Sequence, residues 1–358
     1  MRKTVEDTLN GLLEEEADDL VGAGHHDRSL TASSARSRSA PKLKGMRFAT
    51  AIIERYRRRE TSVEEAMTGM HLAGVPAGRI EDAGEILWGS SVSASTVSNL
   101  NEKAFASVEE WRNRPLERAY PHVYVDGIYL KRSRGGSYEN VAVMVAIGAD
   151  DDGCREAIGA AEGFTESTEC WREFLSRLKS RGLRGVRMFT GDKAAGMVGS
   201  IAEVFPEAAY QRCTVHSYRN VLAKVPKSKR PRVAAMLKAI HAVESREAAE
   251  AKALEVASEL EASRLREAAK VVREGFAETL TYTRFPREHW RRIRTNNAIE
   301  RLNRKIRRRT RVVGTFPDGR SALMLAAARL KYVAESEWGS RRYLDVTLLE
   351  EAHREAGI

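Results

Sequence analysis

Residues 122–161 restrict the possible folds of this chain more than any other stretch. His122 to Leu130 is dense in Val, Ile and Tyr, and Tyr138 to Ile147 is a nearly unbroken apolar run. Segments of this length and β-branched content read as strands, and an apolar run without alternation reads as a strand covered on both faces. The turn Asp150-Asp151-Asp152-Gly153 leads into a third candidate, Arg155 to Ala161. The pattern then changes period. Ser167 to Arg181 is an amphipathic helix with Trp171, Phe174, Leu175 and Leu178 on one face. Val186 to Phe189 is a fourth strand, a helix follows from Ala194, and Ala208 to Cys213 is a fifth strand.

A meander of three strands followed by alternating helices and strands is the order of an RNase H-like α/β sheet. The expected organisation places the first part of that core at 111–219. An all-helical insertion, rich in Ala, Glu, Lys and Arg, covers 220–290, with Leu254, Leu260, Leu265 and Val271 as its apolar positions. Residues 291–340 return to the core with helices from Asn296 to Arg309 and Ser321 to Ser336, and 341–358 form a tail. Upstream, 1–21 reads as a short acidic helix and 22–47 as a flexible linker. Residues 48–110 read as three short helices interrupted at Gly74 and Gly89, a helix-turn-helix candidate. Its third helix would carry Ser95, Thr96, Ser98, Asn99 and Lys103 toward bases and phosphates. A plain packing module is the alternative.

Charge narrows the function. The chain carries a net +10, and the segment from Arg284 to Arg320, with 13 basic and 3 acidic residues, accounts for all of it. A concentrated basic stretch suits a polyanion, although a solvated helical face has the same composition. Three cysteines suggest no disulfide framework and fit a reducing cytoplasm. No apolar run approaches the roughly 20 residues of a membrane helix, so a soluble protein without a membrane partner is expected.

Three carboxylates carry the chemistry. Asp126 interrupts the β-rich segment Val123-Tyr124-Val125-Asp126-Gly127, where a buried charge needs compensation. Asp192 follows the fourth strand, at the carboxyl edge where α/β sheets gather ligands. Their structural alternatives are a turn aspartate before Gly127 and a helix N-cap. Glu300 shares a helix with Ile299, Leu302 and Ile306, the packed stripe, and could merely pair with Arg304. Cys213 and His216 resemble half of a zinc site, but no second pair completes it, so a supporting role in the core is expected. Trp290 is placed either to stack on a splayed base or to pack the insertion on the core.

Together these motifs resemble the Mutator-type family of bacterial insertion-sequence transposases. The resemblance rests on Tyr124-Val125-Asp126-Gly127, Gly191-Asp192-Lys193, Gln211 through His216, and Arg294 through Phe316. It implies an RNase H-like domain with an Asp-Asp-Glu triad at Asp126, Asp192 and Glu300, separated by 66 and 108 positions. It implies metal-dependent cleavage at element ends and strand transfer, with two Mg²⁺ ions (Mn²⁺ able to substitute) and no organic cofactor. Double-stranded DNA, as terminal repeats and target, is the implied partner, and a homo-oligomer pairs the two ends. Trp290, Arg304, Arg307, Arg308, Arg309 and Arg311 would hold the DNA. Arg134, Lys305 and the shortened stretch before Pro41 depart from the family pattern without touching the triad. Rival readings are an RNase H-like nuclease without strand transfer, and a transposase-derived DNA-binding protein or decayed copy.

Overall fold

The computed structural model describes residues 42–43, 46–47, 105–134, 137–163, 167–313, 316 and 318–355. The acidic helix and most of the helix-turn-helix region, including Ser95, Thr96, Ser98, Asn99 and Lys103, lie outside the described residues. The chain divides into two compact units, 1–67 and 68–358. In the first, Lys42–Leu43 pairs antiparallel with Met46–Arg47, within the stretch read as a linker. All that follows concerns the second.

Five strands form one mixed sheet: β1 (His122–Arg134), β2 (Ser137–Ala149), β3 (Arg155–Gly163), β4 (Met188–Gly191) and β5 (Ala209–Arg212), in the order β3-β2-β1-β4-β5. The first three form the antiparallel meander, and β4 and β5 add in parallel beside β1. The parallel strands are short and alternate with helices: α1 (Thr168–Ser180) precedes β4, α2 (Ala195–Val204) leads to β5, and α3 (Thr214–Ala223) leaves it. Ser167 caps α1 by accepting from Cys170 N, which fixes the predicted helix start.

Alternation along β1 and β2 builds two cores. Val123, Val125, Met144 and Ala146 pack against Trp171, Phe174, Leu175 and Met197 on α1 and α2. Tyr124, Ile128, Val143 and Val145 face the other way, onto α8 (Asn297–Val313) and α9 (Gly319–Ala334), through Ile299, Leu302, Ile306, Leu323 and Leu330. Asp126 shares the parity of Tyr124 and Ile128 and therefore belongs to the α8 face. A helical segment over residues 105–113 covers α9 through Val108, and Lys331 donates to Ser107 Oγ at 2.6 Å.

Between α3 and α8 the chain is helical: α4 (Arg230–Ile240), α5 (Arg246–Ala262), α6 (Arg266–Gly275) and α7 (Arg287–Ile293). The helices α4, α5 and α6 have their own core with the end of α3. One detail of the sequence reading is corrected: Leu254 is 52% exposed. The packed face of α5 is instead Ala249, Ala253, Val256, Ala257 and Leu260. Small alanines let the helices approach closely, so the apolar stripe is narrower than large residues alone suggest. Two short helices, α10 (Glu337–Ser340) and α11 (Thr347–Glu355), end the described chain. No helix among the described residues is long and apolar enough to cross a membrane.

Candidate functional site

Strand register brings the first elements together. Tyr124 pairs with Thr190, and Gly191 pairs with Arg212. Counting two residues past Tyr124 and two past Thr190 sets Asp126 level with Asp192, and Cys213 follows one residue after Arg212. All three thus stand at one height along the carboxyl side of the parallel strands, where ligands collect in such sheets.

Asp126 lies within β1, opposite Val145, and Gly127 continues the strand opposite Met144. It is a strand residue, and the turn alternative fails. Its Oδ1 accepts from Gly127 N at 3.0 Å and its Oδ2 from Asn303 Nδ2 at 2.6 Å. Burial raises its pKa above the ordinary carboxylate value; the His216 charge and the Asn303 amide pull it back. Asp192 is not the cap of α2: that position is Ala194, which makes no side-chain cap bond. The Asp192 carboxylate accepts from Lys193 N at 2.7 Å and stays half exposed.

Glu300, in the first turn of α8, reaches across to α3. Its Oε1 lies 3.0 Å from His216 Nε2, and Arg219 straddles both oxygens at 3.2 and 3.4 Å. These partners, rather than Arg304 one turn away, hold the carboxylate. The His216 hydrogen bond, opposed by burial and assisted by the Arg219 charge, lowers the Glu300 pKa. His216 is pushed up to about 10, by hydrogen bonds to Cys213 and Glu300 against the cost of burial. Its Nδ1 also lies 3.8 Å from Asp192 Oδ2. His216 is therefore the link between the second and third carboxylates.

Asn296, fully buried before α8, anchors that helix. Its Nδ2 donates to Val125 O at 2.9 Å and its backbone N–H to Cys213 Sγ at 3.2 Å. Thr190 Oγ1 donates to Ile293 O at 2.9 Å, and Thr214 N to Arg294 O at 3.1 Å. Four bonds thus fasten the segment leading into α8 to β1 at Val125 and to the carboxyl ends of β4 and β5. They place Asn303, two turns on, against Asp126.

Donor chemistry favours a hard cation. Carboxylates dominate the cluster, and Asn303 Oδ1 is a buried oxygen without a hydrogen-bond partner among the described residues. Cys213, His216 and Glu300 also offer ligand atoms all within 4.8 Å of one another. The Cys213 sulfur accepts from Asn296 N.

Comparison with known proteins gives this geometry its context. A family model described as Transposase, Mutator family, matches residues 1–340. The chain belongs to the Mutator family of transposases. It is 33% identical over 98% of its length to the transposase for insertion sequence element ISRM5 of Rhizobium meliloti, covering 92% of that protein. It is 34% identical over 96% to the IS1081 transposase of Mycobacterium tuberculosis, covering 87% of it. The IS256 transposase of transposon Tn4001 in Staphylococcus aureus is 32% identical over 90% of the chain, with 83% of that relative covered. Membership in this family makes the chain a DNA-processing enzyme.

Other residues of the transposase fall away from the carboxylates. Arg304, Arg307 and Arg308 are exposed on α8, and the Arg307 charge is felt at Asp126. Arg309 and Arg311 lie in the same helix, but their side chains are outside the described set. Trp290 is half-buried: its Nε1 donates to Phe285 O at 2.7 Å and its ring meets Tyr282 edge-on at 5.3 Å. Both partners lie in the same helical segment, and Trp290 also packs on the cluster of Ala149, Met188, Tyr282 and Ile293. Asn296, Asn303 and Arg219 escaped the sequence reading. Asn303 had a signal, since at i+3 from Glu300 it shares that helix face; Arg219 had a weaker one, i+3 from His216 on α3.

Proposed function

We propose that this transposase cuts DNA at the ends of its insertion sequence and joins the freed ends to target DNA, using Asp126, Asp192 and Glu300 as the catalytic carboxylates. The observation that carries the reading is the convergence of the three around His216 and Asn303. The strand order, a meander with two parallel strands added beside β1, is that of an RNase H-like sheet, and the helices from α4 to α7 enter it as the insertion before Glu300.

The triad, with Asn303 Oδ1 at hand, suits divalent cations such as Mg²⁺, which in such sites supply charge stabilisation to both the attacking and the leaving oxygen. The residues of the chain do the positioning. Asn303 fixes the rotamer of Asp126 through Oδ2. His216 holds Glu300 toward Asp192. Arg219 screens the negative charge of Glu300, and the exposed arginines of α8 bind backbone phosphates. In the first transfer a water oxygen forms a bond to phosphorus as the bond to the 3′-oxygen breaks, leaving a 3′-hydroxyl. In the second that hydroxyl forms the new bond to a target phosphorus, displacing a target 3′-oxygen. Each nucleophile loses its proton to solvent and each leaving oxygen regains one. Positioning and charge neutralisation dominate both steps.

A duplex with a pre-formed 3′-hydroxyl at the terminal repeat separates transposase from nuclease. Joined products with target DNA are expected; hydrolysis without joining would leave only the nuclease reading. Binding with neither cutting nor joining would leave the DNA-binding or decayed-copy reading.

A further inference from the structure

An open cavity of about 380 Å³ lies beside the carboxylates, between the carboxyl ends of β4 and β5 and the helices α3 and α6. Lys193, Arg212, Asn220, Lys224, Glu274 and Gly275 contribute to its wall. Lys193 is the residue after Asp192, which ties one side of the cavity to the candidate site.

Arg212 is the unusual member. It is only 5% exposed, yet its Nε has no hydrogen-bond partner. Among the described residues its polar contact is Glu278, with NH1 3.8 Å from Oε2, a separation too long for a hydrogen bond. Glu278 Oε1 is meanwhile taken by Lys193 Nζ at 2.9 Å. A guanidinium offers five donors in a planar fork, and leaving the Nε–H donor unmade at this depth is costly. Space has also been cleared for it: a Cβ on Gly275 would stand 2.5 Å from Arg212 NH1. The nearby carboxylates do not neutralise the wall. Three cations face one lining carboxylate, Glu274, which lies 3.9 Å from Lys270, and Glu278 is shared between two of them.

We propose that this cavity seats one backbone phosphate of the DNA strand near the cleaved linkage, gripped by Arg212 from the wall and by Lys224 and Lys193 at the rim. A phosphodiester supplies the acceptor oxygens that match a guanidinium fork. Lys193 of the wall directly follows Asp192, so the seated phosphate fixes the register of the strand against that carboxylate. The proposal rests on the transposase reading of those carboxylates.

The test uses the full chain and duplexes carrying the terminal repeat, each with a single neutral methylphosphonate at one linkage around the cleavage position, with binding measured without divalent cation. For the wild type, one linkage is expected to weaken binding about tenfold, the scale of one charge-assisted hydrogen bond. Arg212→Met and the rim variant Lys224→Met should each weaken the unmodified duplex and lower the log–log salt slope by about 1. At that one linkage the methylphosphonate should then cost the variants less than about twofold, because the contact is already gone. Lys224 is exposed, so its variant remains informative should Arg212→Met fail to fold. Full additivity at every linkage overturns the proposal. Additivity together with tight binding of inorganic phosphate, lost in Lys224→Met, also overturns it in favour of a free-anion site. A wild type that neither binds nor cuts the unmodified end instead brings down the transposase reading itself.

Discussion

Asn303 donates to Asp126 at 2.6 Å from the helix that also carries Glu300, so one side chain ties the first carboxylate to the third. Residues that orient metal-binding carboxylates typically cost about 10–100-fold when removed. Asn303→Ala is therefore expected to slow end cleavage by about that factor while DNA binding stays near wild type; unchanged cleavage would remove Asn303 from the site. Asn296 acts differently. Its replacement by Ala strands Val125 O in a fully buried setting, where an unsatisfied polar group costs about 1–3 kcal/mol. Urea unfolding should show that loss, and an unchanged midpoint would contradict the anchoring role. The carboxylates were legible because each sits in a pattern with a local physical oddity: a charge inside a strand, an acid at a strand end, an acid on a basic helix. Asn296, Asn303 and Arg219 were not, since an amide or an arginine on a helix is locally ordinary. Only the tertiary pairing of α8 with β1 and α3 gives them a role.

Strands were easier to read than the helices of the insertion. The apolar run of β2 allows only a strand covered on both faces, and α1–α2 on one side with α8–α9 on the other provide the two covers. Strand ends were less visible. β1 runs to Arg134, past the last apolar residue of its dense segment, because β2 pairs with it along the whole length. In the insertion, hydrophobic size misled: Leu254 points outward while Ala253 and Ala257 are fully buried. Ala257→Leu is expected to destabilise by about 1–3 kcal/mol through overpacking. Leu254→Ala should stay within about 0.5 kcal/mol, as at most exposed positions. Chemical denaturation of both variants checks the assignment, and the reverse ranking would mean that α5 is rotated about its axis.

At the level of the whole molecule, a balanced chain concentrates its excess positive charge in the segment that contains α7 and α8. Binding to any duplex should accordingly weaken steeply with salt. Acid sensitivity has another origin. His122 and His241 are buried beside α7 and α8, and burial holds each down to about 3. Unfolding releases them to an ordinary value near 6.5, so the unfolded state binds protons that the native state refuses between those limits. The contribution of these two histidines is thus whole above about pH 6.5 and is lost as pH drops toward 3. His122→Phe, placed between Phe285 and His289, should flatten that dependence; equal acid slopes in variant and wild type would refute the assignment. The central claim, that the carboxylates within β1, after β4 and in the first turn of α8 cut DNA, is tested most directly by cleavage of a labelled duplex carrying the terminal repeat with Mg²⁺ or Mn²⁺, comparing wild type with Asp192→Ala. Metal-dependent cuts at the repeat boundary that vanish in a variant still able to bind are the predicted result. Equal cutting by the two proteins would contradict it.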